Sequence, residues 1–188
     1  MKVSFDLDSV IFDLNVLMER AFIGSKQKFF YPTNWNIASV YPAPIVQKME
    51  YLFGDDLLYT TPLLDKDMPE ILNSLMQRSD IKVCFVTERR KKQPLKTFRQ
   101  LNGAGIRCSL NQVYDEYGAK ADVLERIGVD LHFDDSPLVV AGCLEKHIPI
   151  VMISNPTTPY NHHLLNKVEH YTDLRTAMVA KGLCNQKQ

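Results

Sequence analysis

Asp6 and Asp8 stand two residues apart at the end of an apolar, strand-like run from Lys2 to Leu7. Two carboxylates at the exit of a buried strand are costly unless they bind a cation or share protons. Thr87 closes a second apolar run, Ile81 to Val86, and Asp134-Asp135 closes a third, Leu131 to Phe133. Between them, Lys120 opens a helix-like segment. Acid, hydroxyl, lysine and acid thus each fall at the end of a strand or the start of a helix. This set suits attack on a phosphate monoester. A hard dication with oxygen ligands removes the repulsion between the dianion and an incoming carboxylate, and Mg²⁺ suits such donors. Asp6 is then the nucleophile and forms an aspartyl-phosphate. Asp8 protonates the leaving oxygen and afterwards activates water. Thr87 and Lys120 hold the non-bridging oxygens. Asp134 and Asp135 complete the metal site, and which of the two touches the ion stays open. Taken singly, each residue has a plainer reading as a cap, a turn or a surface lysine; the four together argue for the site.

The elements that must position these residues are legible as periodicities. Helical spacing runs through Asp13–Gly24, Ile45–Phe53, Leu63–Ser79, residues 91–102, Ala119–Ile127, Ser136–His147 and Asp173–Lys181. Strands are expected at Lys2–Leu7, Ile81–Val86, Leu131–Phe133 and Ile148–Ile153, with a weaker one at Ile106–Leu110. Tyr31–Pro44, broken by prolines and asparagines, reads as irregular. Strands alternating with helices imply an α/β fold, a Rossmann-like three-layer α/β/α parallel sheet. In such sheets ligands bind beyond the carboxyl ends of the strands, where the polar residues fall.

Four segments carry a family resemblance. Phe5-Asp6-Leu7-Asp8-Ser9-Val10 resembles the first motif of the haloacid dehalogenase-like (HAD) superfamily, Val86-Thr87 its second, Lys120 its third and Phe133-Asp134-Asp135 its fourth. The resemblance runs from residue 2 to about residue 150. It implies Asp6 as nucleophile and Mg²⁺ ligand, and Asp8 as acid/base with its backbone carbonyl on the metal. It also implies phosphoryl transfer more often than dehalogenation, and the second aspartate favours phosphatases because dehalogenases lack it. The family usually has glycine where this chain has Ser9. A serine fits there at negative φ and costs about 1 kcal/mol or more at positive φ.

Residues 14–60, inserted between the first motif and the next core helix, resemble a small, mainly helical C1-type cap. This leaves residues 1–13 and 61–188 as the core. Nine of the chain's 18 aromatics fall in residues 15–60, twice their share by length. Most are expected to form the cap's own core, with Phe22, Phe30 and Trp35 as first choices to face a substrate and stack a nucleobase. Thr87-Glu88-Arg89-Arg90 is similar to the T-x-R-P segment of 5′(3′)-deoxyribonucleotidases. Thr97-Phe98-Arg99-Gln100-Leu101 is similar to their T-x-x-W-L, with Gln100 in place of Trp. Asp13, five after Asp8, also matches that group. The implied substrate is a nucleoside monophosphate, with Glu88 and Arg89 beside Thr87 and Lys120 among its ligands. The run Arg89 to Lys96 raises a second expectation, a polynucleotide end phosphatase working along a basic groove. A third is a binding module that keeps the fold without the chemistry.

Bulk composition excludes rather than selects. With 22 basic and 22 acidic residues, no global field draws the chain to nucleic acid or to an anionic membrane. The start of the chain carries Asp6 and Asp8, unlike a signal peptide, and no apolar run approaches the ~20 residues of a membrane helix. Cys84, Cys108, Cys143 and Cys184 form no C-x-x-C pair and read as reduced thiols. The expectation is a cytoplasmic enzyme.

Overall fold

A computed structural model describes residues 1–54, 56–89 and 93–185. Among these residues six strands, β1 (Lys2–Phe5), β2 (Lys82–Thr87), β3 (Val113–Asp115), β4 (Leu131–Asp134), β5 (Ile150–Ile153) and β6 (His170–Tyr171), form one sheet in the order β3-β2-β1-β4-β5-β6. Every pairing is parallel. Among the described residues seven α-helices accompany them: α1 (Asn15–Ala21), α2 (Ala43–Gly54), α3 (Met68–Met76), α4 (Pro94–Gly103), α5 (Lys120–Ile127), α6 (Pro137–Glu145) and α7 (Leu174–Ala180).

Side chains alternate across a strand, and here both faces are covered. Val83 and Phe85 of β2 join the core beneath α3, α4 and α7, whereas Cys84 and Val86 join the one beneath α5 and α6. The same split repeats on β5, with Val151 and Ile153 on the first face and Ile150 and Met152 on the second. In register, Phe5 faces Phe133, and their rings stack at 5.1 Å. A third apolar cluster lies within residues 14–60, where Met18, Ala21 and Phe22 pack on Tyr41, Ile45 and Met49.

Two expected elements are corrected. Ile106–Leu110 is not a strand. The Ile106 amide donates to the Leu101 carbonyl and closes α4, while the Arg107 amide donates to Asn73 Oδ1, so this stretch ends a helix. The edge strand beside β2 is β3, and the sequence VYD has no apolar run to announce it. Helix α3 starts at Met68 rather than Leu63, because the Leu64 amide donates to the Ile11 carbonyl and Arg175 grips Asp65 and Asp67.

Candidate active site

The carboxyl ends of β1, β2 and β4 converge. Even-numbered residues of β1 and β4 point to one face, and at this end that face is polar. Ser4 lies opposite His132 in register, and its Oγ is 2.8 Å from His132 Nδ1. His132 Nε2 is 2.8 Å from Asp134 Oδ2. The histidine's pKa is lowered, chiefly by burial, with Asp134 opposing. The neutral ring therefore donates from Nε2 to the carboxylate and accepts the Ser4 hydroxyl at Nδ1. Lys120 Nζ reaches Asp134 Oδ2 at 2.8 Å and Asp6 Oδ1 at 2.7 Å. The Ser136 amide donates to Asp134 Oδ1.

Asp134 is thus enclosed by donors. Burial pushes its pKa up, but Lys120 and then His132 outweigh that and bring it to about 2. Asp6 is raised, first by burial and then by its neighbours Asp134, Asp135 and Asp8, with Lys120 opposing. Asp135 is pushed up to about 7 by burial and by Asp134; Tyr160 donates its hydroxyl to Asp135 Oδ2, and Asn161 donates to the Asp135 carbonyl. Donor oxygens of Asp6, Asp134 and Asp135 lie within 4.8 Å of one another, and all three residues are buried. Of these three carboxylates the Lys120 ammonium pairs with two, Asp6 and Asp134, and the donors are all oxygen. A hard divalent cation fits such a set, since it supplies the missing charge.

A cavity of about 410 Å³ opens onto these groups. Asp6, Asp8, Thr87, Glu88, Arg89, Lys120 and Asp135 line it on the core side, and Trp35 lines it from the 14–60 region. Thr87 is buried at the end of β2, and its hydroxyl has no hydrogen-bond partner among the described residues. Glu88 accepts the Lys120 amide at 2.8 Å, which fixes the start of α5. Arg89 is turned inward onto Asp8 at 2.7 Å. Phe22 and Phe30 do not line the cavity: Phe22 packs edge-on to Phe29 and Tyr41, and Phe30 lies against Tyr41. Ser9 has φ 63°, so the costlier of its two possible conformations is the one adopted. The turn Asp6 to Phe12 imposes it, with the Ser9 amide on the Phe12 carbonyl and the Ile11 and Phe12 amides on the Leu7 carbonyl.

Of the basic run, Arg90, Lys91 and Lys92 lie outside the described residues; Lys96 pairs with Asp56. His162 and His163 are not in the carboxylate cluster. Sequence reasoning missed Tyr160, Asn161 and the role of His132. Only His132 carried a signal, by standing two residues before Asp134 on the same strand. It also missed Asn15, a buried cavity-lining residue whose side-chain amide has no partner among the described residues.

No family model and no curated protein matches the chain. Solved structures do. A haloacid dehalogenase-like family hydrolase from Streptococcus pneumoniae is 16% identical with a TM-score of 0.66, covering 96% of this chain and 97% of that one. A Clostridium difficile protein named as a candidate phosphatase is 13% identical with a TM-score of 0.64, covering 97% and 98%. CbbY from Rhodobacter sphaeroides, in complex with xylulose-1,5-bisphosphate, is 14% identical with a TM-score of 0.53, covering 92% and 93%. At these identities the likeness is one of fold: the chain has the Rossmann-like α/β architecture of the HAD-superfamily hydrolases.

Proposed function

We propose that this chain is a magnesium-dependent phosphomonoester hydrolase that works through an aspartyl-phosphate on Asp6, with (deoxy)nucleoside monophosphates as substrates and the 5′-phosphate as the group removed. The observation that carries the reading is the juxtaposition, at one cavity, of Asp6, the Lys120 ammonium at 2.7 Å and the unpartnered hydroxyl of Thr87.

Mg²⁺ would be held by Asp6 and Asp135, with Asp134 behind them and the Asp8 carbonyl as the family resemblance implies. When bound it neutralises a phosphate dianion approaching a carboxylate. Asp6 attacks phosphorus in line as the bond to the ester oxygen breaks, and Asp8 gives that oxygen its proton. Asp8 then takes a proton from water, which attacks phosphorus and breaks the bond to Asp6. Inorganic phosphate leaves and Asp6 is restored. Lys120 and the Thr87 hydroxyl hold the non-bridging oxygens throughout. Asp8 is what argues for phosphate over halide chemistry.

Residues 14–60 act as the cap in this reading. Trp35, Pro32 and Phe53 offer an apolar wall to a flat ring, and the free amide of Asn15 offers both a donor and an acceptor to a polar edge. The inward turn of Arg89 and the Lys96–Asp56 pair argue against an open basic groove built from these two residues for a polynucleotide.

The test is phosphate release from a panel of nucleoside monophosphates, sugar phosphates and 3′-phosphorylated oligonucleotides, with Mg²⁺ and with EDTA. Release from deoxynucleotides that needs Mg²⁺ and disappears in Asp6→Asn is the expected result. Release from oligonucleotides alone would transfer the assignment to nucleic-acid ends. Equal rates for wild type and Asp6→Asn would overturn the mechanism.

A further inference from the structure

Arg89 is 3% exposed, although it follows the end of β2 by only two residues. A cation buried this deeply needs full pairing, and its partners are particular. Nε and Nη2 donate to Asp8 Oδ2 and Oδ1 at 3.0 and 2.7 Å, a planar two-pronged grip on one carboxylate. Nη1 donates to Gln100 Oε1 at 2.7 Å. Gln100, itself buried on α4, donates its amide to Thr61 Oγ1 at 3.0 Å, and the Leu58 carbonyl is 3.4 Å away. The Tyr59 ring covers the guanidinium at 5.0 Å. Leu58, Tyr59 and Thr61 lie on the segment that carries the chain back from residues 14–60 into the core. Each of the three guanidinium nitrogens is therefore committed to a protein acceptor, and the chain of contacts runs from Asp8 to the return segment. Gln100 occupies the position where the similar deoxyribonucleotidase segment has tryptophan, a residue with no side-chain acceptor for Arg89.

We infer that Arg89 is a positioning residue for Asp8, held by Gln100 and Thr61, and not a phosphate ligand. The inference rests on the reading of Asp8 as the acid/base. A carboxylate on two torsions swings unless it is gripped, and the planar fork fixes both torsions in a way that a lysine ammonium does not. Because the fork is anchored on the return segment, Asp8 is set for proton transfer only while that segment is seated on α4.

Arg89→Lys and Gln100→Leu test this with two esters: a deoxynucleoside monophosphate, whose alkoxide must be protonated as it leaves, and p-nitrophenyl phosphate, whose leaving group departs without a proton. The parameter kcat/KM reports events up to that departure. Both variants are expected to lose about 10- to 100-fold on the nucleotide. On the aryl ester they are expected to lose less than about threefold, so that the ratio between the two rises at least about threefold. Melting curves are recorded for each variant, so that Gln100→Leu carries the test if Arg89→Lys folds poorly. Equal losses on both esters, concentrated in KM and confined to Arg89→Lys, would make Arg89 a phosphate ligand and overturn the inference. Equal losses that track a fall in melting temperature would overturn it as well. Wild-type protein that hydrolyses neither ester, or no faster than Asp6→Asn, would sink the reading of the site itself; an unchanged ratio in active variants would sink only this inference.

Discussion

The two adjacent acids of the fourth motif have different surroundings. Asp134 is enclosed by Lys120, His132 and the Ser136 amide, whereas Asp135 faces the cavity and accepts only the Tyr160 hydroxyl among the described side chains. Asp134→Asn removes the charge that balances a buried ammonium and should cost about 3 kcal/mol in a denaturant titration. Asp135→Asn relieves a like-charge contact and should leave stability within about 1 kcal/mol. In the proposed mechanism it raises the Mg²⁺ concentration needed for half-maximal activity. Thr87→Val should lower kcat/KM by about 10²-fold at unchanged melting temperature, because it deletes a donor that the protein itself does not use. A variant that melted early instead would show the hydroxyl to be a structural cap.

At the scale of elements, the site depends on where strands end and helices begin. Lys120 reaches two aspartates because α5 starts with it, held by Glu88 on its amide, and ends at Gly128 in the left-handed region at φ 65°. Gly128→Ala should cost about 1 kcal/mol through that backbone strain, read as a lower denaturation midpoint with the slope unchanged. Leu72, fully buried on α3 beneath the sheet, should cost about 2–5 kcal/mol on truncation to alanine. The strands that carry chemistry were legible because each is a buried apolar run broken by a polar residue at its end. The edge strands β3 and β6 were not. They span 3 and 2 residues, and pairing with a neighbour already in place, rather than any local pattern, makes them strands.

For the whole molecule, the carboxylate cluster predicts a coupling between cation binding and stability. Lys120, His132 and Tyr160 of the protein itself hold the donors, so EDTA should leave the circular dichroism unchanged. Saturating Mg²⁺ should raise the melting temperature, by about 2.7 kcal/mol of stabilisation at a hundredfold excess over its dissociation constant. No shift with Mg²⁺ would argue against the site. The single tryptophan, Trp35, lies on the cavity wall in edge contact with Tyr160. Its emission should change on adding a nucleoside monophosphate to Asp6→Asn protein and stay constant with inorganic phosphate alone. No helix among the described residues is long and apolar enough to cross a membrane.

By itself the sequence determined the parallel α/β core and the convergence of Asp6, Asp8, Thr87, Lys120, Asp134 and Asp135. In a parallel sheet, residues at strand ends share one edge whatever the loops do. It could not determine which way individual side chains turn. Phe22 and Trp35 are both aromatics of the same insert, yet one fills a hydrophobic cluster and the other lines the cavity, because burial depends on partners such as Tyr41 that are distant in sequence. Arg89 stood among the expected substrate ligands by its neighbours in the chain. Tertiary packing alone brings Gln100 and the carboxylate of Asp8 to its three nitrogens, and a guanidinium removed from water follows its acceptors.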